Sequence, residues 1–439
     1  MIHALSGVFF DREQKLSKQI SESQETSKSS AVMPGLPGDT LWDKRPEIDF
    51  VSGEIYAADL HGALRWMREN EPFYRDAPNN LYIVTRHADL MQISKASTKF
   101  LNGQGFRPDS PATPMMIAMD RPAHMVRRGL VNSGFTPRRV AALEPRVRSV
   151  CNRIIDDVAE NGSCDFVRDI AAWLPLIMIG DLLGVEEEDY PALLRWSDDL
   201  MVALGSSDPV HLAAQAKAAM EYREYNQRVI ANRRENPAGD DLMSILVHAE
   251  IDGERLDDMS VYMESLLILI GGDETTRHVI SGGMHALLRH PEQYAALRDD
   301  PNKMLPAIEE MLRWVTPIQN MMRTVAEPVE ISGHRFEAGD RLLLMYPSAN
   351  RDEAVFDSPF EFNIERSPNP HVAFGGNGAH FCLGNSLARL ELRVIFEELL
   401  RRLPDMELIS DEAPSLRPAN FVVGIESLPV RFAPTNKEA

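Results

Sequence analysis

The sequence predicts a mainly α-helical protein with a smaller β-rich part. Apolar residues at helical spacing follow from residue 139 to about residue 250, one helix after another. Residues 257–290 form the longest helical pattern, roughly 50 Å at 1.5 Å per residue. Short apolar runs typical of strands lie at residues 81–85, 329–334 and 341–346. No repeat or low-complexity linker interrupts residues 34–434, so we expect one compact unit.

The composition excludes several classes of protein. A formal charge of −20 argues against nonspecific nucleic-acid binding. Three cysteines in 439 residues are too few for a disulfide framework, so we expect a cytoplasmic protein. Residues 1–10 are too short and too weakly apolar to span a membrane, and residues 11–30 are polar. We therefore predict a disordered tail over residues 1–34 and a single domain over residues 35–439.

A glycine-rich loop, residues 374–384, delivers one cysteine, Cys382, to the predicted start of a helix. The helix is indicated by apolar residues at helical spacing and by a following proline: Leu392, Ile395, Phe396, Leu399, Leu400, Leu403 and Pro404. Backbone N–H groups and the dipole at a helix N-terminus favour a thiolate. Glycines let the backbone approach a flat, bulky group. Because a heme iron can take such a thiolate as its fifth ligand, the loop favours a heme-thiolate site.

Three other chemistries could use this loop. A phosphate cradle would require GxGxxG or GxxxxGK spacing between a strand and a helix, and the sequence has neither. A zinc site would require further ligands, but no CxxC or HExxH motif supplies them. A hydrolase nucleophile activated by a nearby histidine stays open from the local sequence alone.

The long helical pattern contains a combination that packing alone does not explain. Gly271 and Gly272 are adjacent in its interior, where each glycine costs about 1 kcal/mol relative to alanine. A carboxylate, Glu274, then stands beside Thr275. A flat cofactor against the two glycines would explain the missing side chains. Thr275 could donate to the carbonyl four residues earlier and loosen the helix, which would open a groove for dioxygen and a water.

Four motifs in order carry a resemblance to a known family. Residues 374–384 resemble the heme-binding loop of the cytochrome P450 family, although Cys382 stands eight residues after Phe374 rather than the commoner seven. Residues 271–276 are similar to the family's oxygen-binding motif, with Glu274 in its acidic position. The other two motifs resemble its structural Glu-x-x-Arg pair and a propionate-binding arginine: Glu310 with Arg313, and Arg323. The resemblance covers the chain from about residue 39 and implies the triangular helical P450 fold with heme b held by Cys382.

The resemblance also implies roles for individual residues. Thr275 would position dioxygen and a water, with Glu274 delivering protons and Asp273 as its substitute. The residues expected to contact the heme are His124, Arg128, Gly271, Arg323, His380, Cys382 and Gly384. Of these, the propionates would be held by His124, Arg128, Arg323 and His380. The expected substrate contacts, in part on a proline- and methionine-rich flap, are Met115, Met116, Ile270, Ile318 and Val422.

The implied activity is that of a heme-thiolate monooxygenase. Residues 114–117, 266–283 and 307–324 look most like actinobacterial P450 enzymes that hydroxylate the terminal side-chain methyl (C26/C27) of cholesterol or cholest-4-en-3-one. A hydroxylase of branched fatty acids or terpenoids is the enzymatic alternative, and a heme sensor or sterol carrier is the non-enzymatic one. Because a carrier has no use for a proton-delivering pair, Thr275 beside Glu274 favours the enzyme.

The family resemblance implies ferredoxin and ferredoxin reductase as electron donors to a monomeric enzyme. Ferredoxins are generally acidic, so a docking site for one needs local positive charge despite the overall charge of −20. The expected basic patch, on the face outside Cys382, consists of Arg127, Arg389 and Arg393.

Overall fold

A computed structural model describes residues 44–58, 60–236, 239 and 241–437. The predicted tail over residues 1–34 lies outside these residues, so the division of the chain into a tail and one domain stays a prediction. Across the described part of the chain, every helix is too short or too polar to span a bilayer.

Fifteen α-helices lie within the described ranges, and several begin or end at residues suited to the purpose. The side chains of Asp208, Asp241 and Asp257 each accept a backbone N–H from a first turn. Gly184 ends another helix in the left-handed conformation at φ 71°, as its sequence pattern predicts. The helices are α1 Glu54–Ala57, α2 His61–Asn70, α3 His87–Lys95, α4 Ala123–Asn132, α5 Pro137–Ala142, α6 Glu144–Ala159, α7 Trp173–Leu183, α8 Tyr190–Val202, α9 Pro209–Glu235, α10 Leu242–His248, α11 Asp258–Leu288, α12 Pro291–Asp299, α13 Met304–Val315, α14 Tyr346–Ala349 and α15 Asn385–Arg402.

The strands are shorter and form small sheets. They are β1 Phe73–Asp76, β2 Leu81–Val84, β3 Phe100–Leu101, β4 Ser163–Asp165, β5 Glu250–Ile251, β6 Glu254–Arg255, β7 Asn320–Val325, β8 Val329–Ile331, β9 His334–Phe336, β10 Arg341–Met345, β11 Glu407–Leu408 and β12 Pro429–Arg431. The largest sheet has the order β1-β2-β10-β7-β3, with β2 and β10 parallel. A second sheet has the order β11-β12-β4, and β5-β6 and β8-β9 are hairpins. The predicted strand pattern at residues 329–334 is thus a hairpin rather than one strand.

Helix α11 is the predicted long central helix, and its observed limits differ from 257–290 by only one or two residues. It packs against α7, α9, α13 and α15, and most of its residues are buried. Polar side chains on such a helix lose their hydration, so each needs a partner within the protein or a bound group. The buried polar side chains of α11 are therefore the first place to look for a functional site.

Two irregular segments border the main elements. Residues Phe166–Ala171 form a π-helix that leads into α7. Near the end of the chain, residues 416–425 form a turn closed by a bridge between Leu416 and Ile425, here called the C-terminal hairpin. Val422 of this hairpin forms a further bridge with Ile318.

The C-terminal hairpin lies directly against α11. A Cβ built on Gly424 would stand 1.9 Å from Nδ1 of His278, a separation that real atoms do not adopt. Only glycine therefore allows this approach between the hairpin and α11.

Candidate functional site

Cys382 lies on a loop held by backbone hydrogen bonds. Its N–H donates to the carbonyl oxygen of Phe374 at 2.9 Å. The loop passes so close to the end of α3 that a Cβ on Gly378 would lie 1.8 Å from the carbonyl oxygen of Ser94. Helix α15 begins three residues after the cysteine, and the side-chain amide of Asn385 donates to the Cys382 carbonyl at 2.8 Å. The glycine-rich loop and the following helix agree with the sequence prediction.

Opposing effects act on the Cys382 thiol. Burial raises its pKa, whereas the backbone N–H groups of Gly384 and Asn385 and the guanidinium groups of Arg128 and Arg389 lower it. The N–H donors predicted at the helix N-terminus are therefore present, but burial outweighs them. A thiolate at this position needs a further positive charge, which a metal ion bound to the sulfur would supply.

The two adjacent glycines of α11 have different surroundings, so a side chain is disfavoured at each for a different reason. A Cβ on Gly271 would meet no atom within 4 Å, so this side of the helix leaves room for a flat group. A Cβ on Gly272 would lie 2.7 Å from the side chain of Ile179 on α7. The expectation that a cofactor presses on both glycines is therefore wrong for Gly272, which permits close helix packing.

Thr275 makes the bond that the sequence predicts. Its hydroxyl donates to the carbonyl oxygen of Gly271 at 3.0 Å, one turn earlier. The hydroxyl is therefore held on the open side of α11, next to the position where a side chain at Gly271 is absent. Thr276, the next residue, is buried.

Glu274 is fully buried and surrounded by positive charge. Its carboxylate accepts hydrogen bonds from Arg277 and, at 3.0 Å, from Arg417 of the C-terminal hairpin. Nε2 of His278 lies 3.3 Å from the same carboxylate. Although burial opposes ionisation, Arg277 and Arg417 hold the pKa of Glu274 below its ordinary value. Asp198 on α8 completes the network, with Arg277 at 2.8 Å and Arg417 at 3.5 Å.

Asp273 is in a different environment from its neighbour. Both of its carboxylate oxygens are buried and lack a hydrogen-bond partner among the described residues. Burial raises its pKa to about 7; the charge of Arg277 opposes this effect and the charge of Glu274 adds to it. Burial likewise raises the pKa of Glu391 on α15, with Asp273 as a further cause. Both carboxyl groups therefore take up a proton more readily than an ordinary exposed carboxylate does.

The structure brings together the four residues predicted to hold propionates. The rings of His124 and His380 have centroids 4.0 Å apart, and burial lowers the pKa of His124 to about 4. Burial lowers the pKa of His380 most, and the charges of Arg323 and Arg128 lower it further. Arg128 donates to the carbonyl oxygen of Phe381 at 2.6 Å, next to Cys382. The two arginines thus supply positive charge and the two neutral imidazoles supply hydrogen-bond donors.

Glu310 and Arg313 form a fully buried, bidentate ion pair on α13, with both N–O distances 2.7 Å. Arg313 also donates to the backbone carbonyls of Asn350 and Pro359, and Glu310 accepts from Arg366. The pair therefore binds the irregular segment that precedes the cysteine loop, which is the position the sequence resemblance implies.

Three of the five predicted substrate contacts lie in one apolar cluster, here called the pocket cluster. Its members are Phe106, Ala118, Met201, Phe421 and Val422, with Ile117, Leu204, Ile270, Ile318 and Met321 packed against them. Ile270 immediately precedes Gly271, so the cluster adjoins the open side of α11. Met115 and Met116 pack against the main helical core instead, and Ile117 is the flap residue that joins the pocket cluster.

Sequence reasoning did not name the remaining members of the pocket cluster as contacts. Phe421 could have been found, because it precedes Val422 in the segment expected near the substrate. Met201 lies on α8, and Leu204 lies two residues after the end of that helix. For Phe106, at the start of the flap loop, no local pattern gave a signal.

The three arginines expected to form a basic patch are each paired with a carboxylate. Arg389 contacts Glu309 at 2.6 Å, and Arg393 contacts both Glu144 and Glu397. Arg127 lies 3.7 Å from Glu264 and is largely buried. Because these partners offset the positive charge of the three arginines, the structure does not support the predicted basic patch at these positions.

Comparison with known proteins decides which family this site belongs to. The family model described as "Cytochrome P450" matches residues 81–431. The chain belongs to the cytochrome P450 family. The predicted family, the P450 fold, the heme cofactor and the monooxygenase class are thereby confirmed.

This P450 is similar to curated and solved proteins over most of its length. A "Steroid C26-monooxygenase" of Mycobacterium tuberculosis is 49% identical over 395 residues, which cover 89% of this chain and 98% of that protein. A "Methyl-branched lipid omega-hydroxylase" of Mycobacterium bovis is 40% identical over 326 residues, covering 72% of this chain and 74% of that one. A solved Mycobacterium marinum cytochrome P450 in complex with pseudoionone is 35% identical, with a TM-score of 0.81, and covers 89% and 100% of the two chains.

The residues of this P450 fit a heme. Gly271 and Gly384 both face open space, so neither backbone would clash with a flat ring. The buried Nδ1 of His124 has no hydrogen-bond partner among the described residues. Arg323 is buried and makes no salt bridge to a described carboxylate, so a propionate would satisfy a charge that is costly to leave alone.

Proposed function

We propose that this P450 hydroxylates the terminal methyl of a steroid side chain, with cholest-4-en-3-one or cholesterol as the substrate. The observation that carries the proposal is the pocket cluster beside Gly271, whose members are all apolar. An apolar pocket suits a long hydrocarbon tail, since burial of hydrocarbon drives its binding. The identity of 49% to a steroid C26-monooxygenase over 98% of that protein supports the same substrate class.

In this proposal the Cys382 thiolate would hold the heme iron. When bound, the heme supplies oxygen-activating chemistry that amino-acid side chains lack. His124, Arg128, Arg323 and His380 would hold the propionates and so orient the ring. Gly271 and Gly384 would permit the close approach of backbone to the ring.

Residues of α11 deliver protons to the oxygen-binding side of the site in this proposal. The Thr275 hydroxyl donates its one proton to the Gly271 carbonyl, so its oxygen is left to accept a hydrogen bond from a water in the open space beside that glycine. Glu274 is the carboxylate next in line, and its pairing with Arg277 and Arg417 keeps it ionised. It takes up a proton only when one of these pairs loosens, so the network limits when protons reach Thr275. Asp273, whose pKa burial raises to about 7, is the substitute donor.

Electrons come from a ferredoxin and its reductase in this proposal, and the enzyme works as a monomer in the cytoplasm. The free thiols of Cys151, Cys164 and Cys382 suit a reducing compartment. Since Arg127, Arg389 and Arg393 are paired, the docking face for an acidic ferredoxin is not assigned to them. Salt dependence of the electron-transfer rate, with and without charge reversal of exposed arginines, would locate that face.

A titration tests the substrate. We expect cholest-4-en-3-one to shift the ferric protein from low to high spin and, with electrons and dioxygen, to yield the alcohol at the terminal side-chain methyl. A methyl-branched fatty acid is the competing ligand, because the branched-lipid hydroxylase is 40% identical. A spin shift and product with the branched acid, and none with the steroid, would overturn the steroid proposal and favour that second function.

A further inference from the structure

A buried carboxylate on α11 lies outside the machinery described so far. Glu264 is 1% exposed and stands nearly two turns before Ile270. Its Oε1 accepts the backbone N–H of Met116 at 3.0 Å and lies 3.7 Å from Nη1 of Arg127 on α4. Its Oε2 has no hydrogen-bond partner among the described residues.

Glu264 holds one end of the turn that carries a pocket residue. The short 3-10 turn Met116–Ala118 is fixed at its start by Glu264 and at its centre by Asn102, whose side-chain amide donates to the carbonyl of Ile117 at 2.9 Å. Ile117 lies between these two bonds and packs against the pocket cluster. The carboxylate thus acts on the pocket through the backbone of the turn and not through its own side chain.

A carboxylate at this buried position costs desolvation free energy. Burial raises the pKa of Glu264 to about 7, and Arg127 and the Met116 N–H offset the cost only in part. An apolar side chain would pack on this face of α11 without that cost. It would not, however, accept the Met116 N–H, and the turn would lose its bond to the central helix.

We propose that Glu264 is a positioning residue that sets the place of the turn 116–118, and hence of Ile117, over the substrate pocket. A fixed turn keeps the Ile117 side chain against the pocket cluster, which favours binding of a substrate with a long hydrocarbon tail. The position of the turn follows from the contacts alone, while the identity of the occupant rests on the proposed function.

Hydrogen–deuterium exchange tests the positioning without using activity. In Glu264→Leu the amides of residues 115–119 should exchange at least about tenfold faster than in wild type, because the hydrogen bond from the Met116 N–H to the buried carboxyl group is lost. Glu264→Gln keeps a carbonyl acceptor and should stay close to wild type. If Glu264→Leu does not fold, Met116→Pro removes the donor instead, and the Ala118 amide gives the same readout.

A matched control separates positioning from general destabilisation. Asp352 is also buried and accepts a backbone N–H, that of His87, at 2.8 Å. Asp352→Leu removes this acceptor as Glu264→Leu removes the other, so it should lower stability and leave exchange at residues 115–119 unchanged. Unchanged exchange in both Glu264→Leu and Met116→Pro, or equally fast exchange at these residues in Asp352→Leu, would overturn the proposal.

Ligand binding tests the effect on the pocket. The Kd for cholest-4-en-3-one should rise about tenfold in Glu264→Leu and return towards wild type in Glu264→Gln, while the Kd for imidazole, a small iron ligand, stays unchanged. An equal loss of affinity for both ligands would overturn the role in substrate choice. If the steroid fails to bind the wild type, the proposed substrate is wrong, and the exchange experiment still decides the role of Glu264.

Discussion

In the proposed function, single side chains of this P450 carry distinct parts of the chemistry, and the structure gives each a different environment. Cys382 lies among N–H donors that favour its thiolate, yet burial raises its pKa, so the sulfur depends on the metal for its charge. Thr275 is held by the carbonyl of Gly271, on the open side of the helix. Substitutions of Cys382 and of Thr275 should therefore have separate effects, one on iron ligation and the other on proton delivery.

Replacing the cysteine tests the axial ligand. We expect Cys382→Ser to lose the absorption band that marks thiolate ligation in the reduced carbon monoxide complex, because a hydroxyl does not replace a thiolate donor at the iron. Difference spectroscopy of the reduced protein measures this. Retention of the band would refute the assignment, and Cys151→Ser, a buried thiol on α6, is the control that should keep it.

Replacing the threonine tests proton handling. Thr275→Ala should bind substrate and consume reductant as the wild type does, but release hydrogen peroxide in place of hydroxylated product. The measurement is product formed per reductant consumed. Thr276→Ala, at the adjacent buried position, should stay coupled. A fully coupled Thr275→Ala enzyme would show that the hydroxyl only stabilises a distorted turn.

At the scale of elements, ion pairs join α8, α11 and the C-terminal hairpin. Asp198 contributes from α8, Glu274 and Arg277 from α11, and Arg417 from the hairpin. The Glu274 end of this network is buried, whereas the side chain of Asp198 is 43% exposed. Movement of α8 would therefore first break the contacts of Asp198 with Arg277 and Arg417. The positive charge of these two arginines would then be offset mainly by Glu274.

Removing Arg417 should lower stability in a pH-dependent way. Arg277 and Arg417 hold the pKa of Glu274 below its ordinary 4.5, so the stabilisation is present above about pH 4.5 and is lost as pH falls further. At pH 7 we expect Arg417→Ala to reduce the free energy of unfolding by on the order of 3 kcal/mol. Denaturant unfolding between pH 3 and pH 8 should show the gap from wild type narrowing in acid (roughly one proton's worth of slope).

A charge-conserving variant controls for the loss of side-chain volume. Arg417→Lys keeps a cation beside Glu274 and should recover much of the stability at pH 7. A gap for Arg417→Ala that does not change with pH would mean that the arginine acts through packing alone.

At the scale of the whole molecule, one buried pair ties a helix to the loop segments before the cysteine. Arg313 joins α13 to carbonyls up to 48 residues away at Glu361, and Glu310 also accepts from the backbone N–H of Asn363. These segments have little regular secondary structure of their own. Their arrangement therefore depends on the pair more than on a backbone ladder.

Breaking this pair should be costly. Glu310→Ala leaves Arg313 buried without its carboxylate, so we expect a loss of about 3–5 kcal/mol in the free energy of unfolding and weaker heme retention. The surface pair Arg65–Glu69 on α2 is the control, since Glu69→Ala should change stability by less than about 1 kcal/mol. Equal losses in the two variants would contradict a special structural role for the buried pair.

Local sequence patterns predicted the parts of this molecule that local chemistry determines. The limits of α11, the helix after Cys382 and the Thr275 back-bond follow from periodicity, capping and i−4 geometry. Contacts between distant segments did not follow: Arg417 reaches Glu274 across 143 residues, and Met116 reaches Glu264 across 148. The packing of Gly272 against Ile179 was missed for the same reason, because a pattern on one helix does not report what lies opposite.

The close approach of Gly424 to His278 has a consequence for engineering. Within ten residues the C-terminal hairpin places Phe421 and Val422 in the pocket cluster, Arg417 on Glu274, and Gly424 against the central helix. A designer who exchanges this hairpin for that of a relative, in order to accept a wider substrate, also replaces the cation beside the acid. With the proposed roles of the pocket cluster and of Glu274, one exchange of ten residues would alter both the range of substrates and the fraction of electrons that reach product.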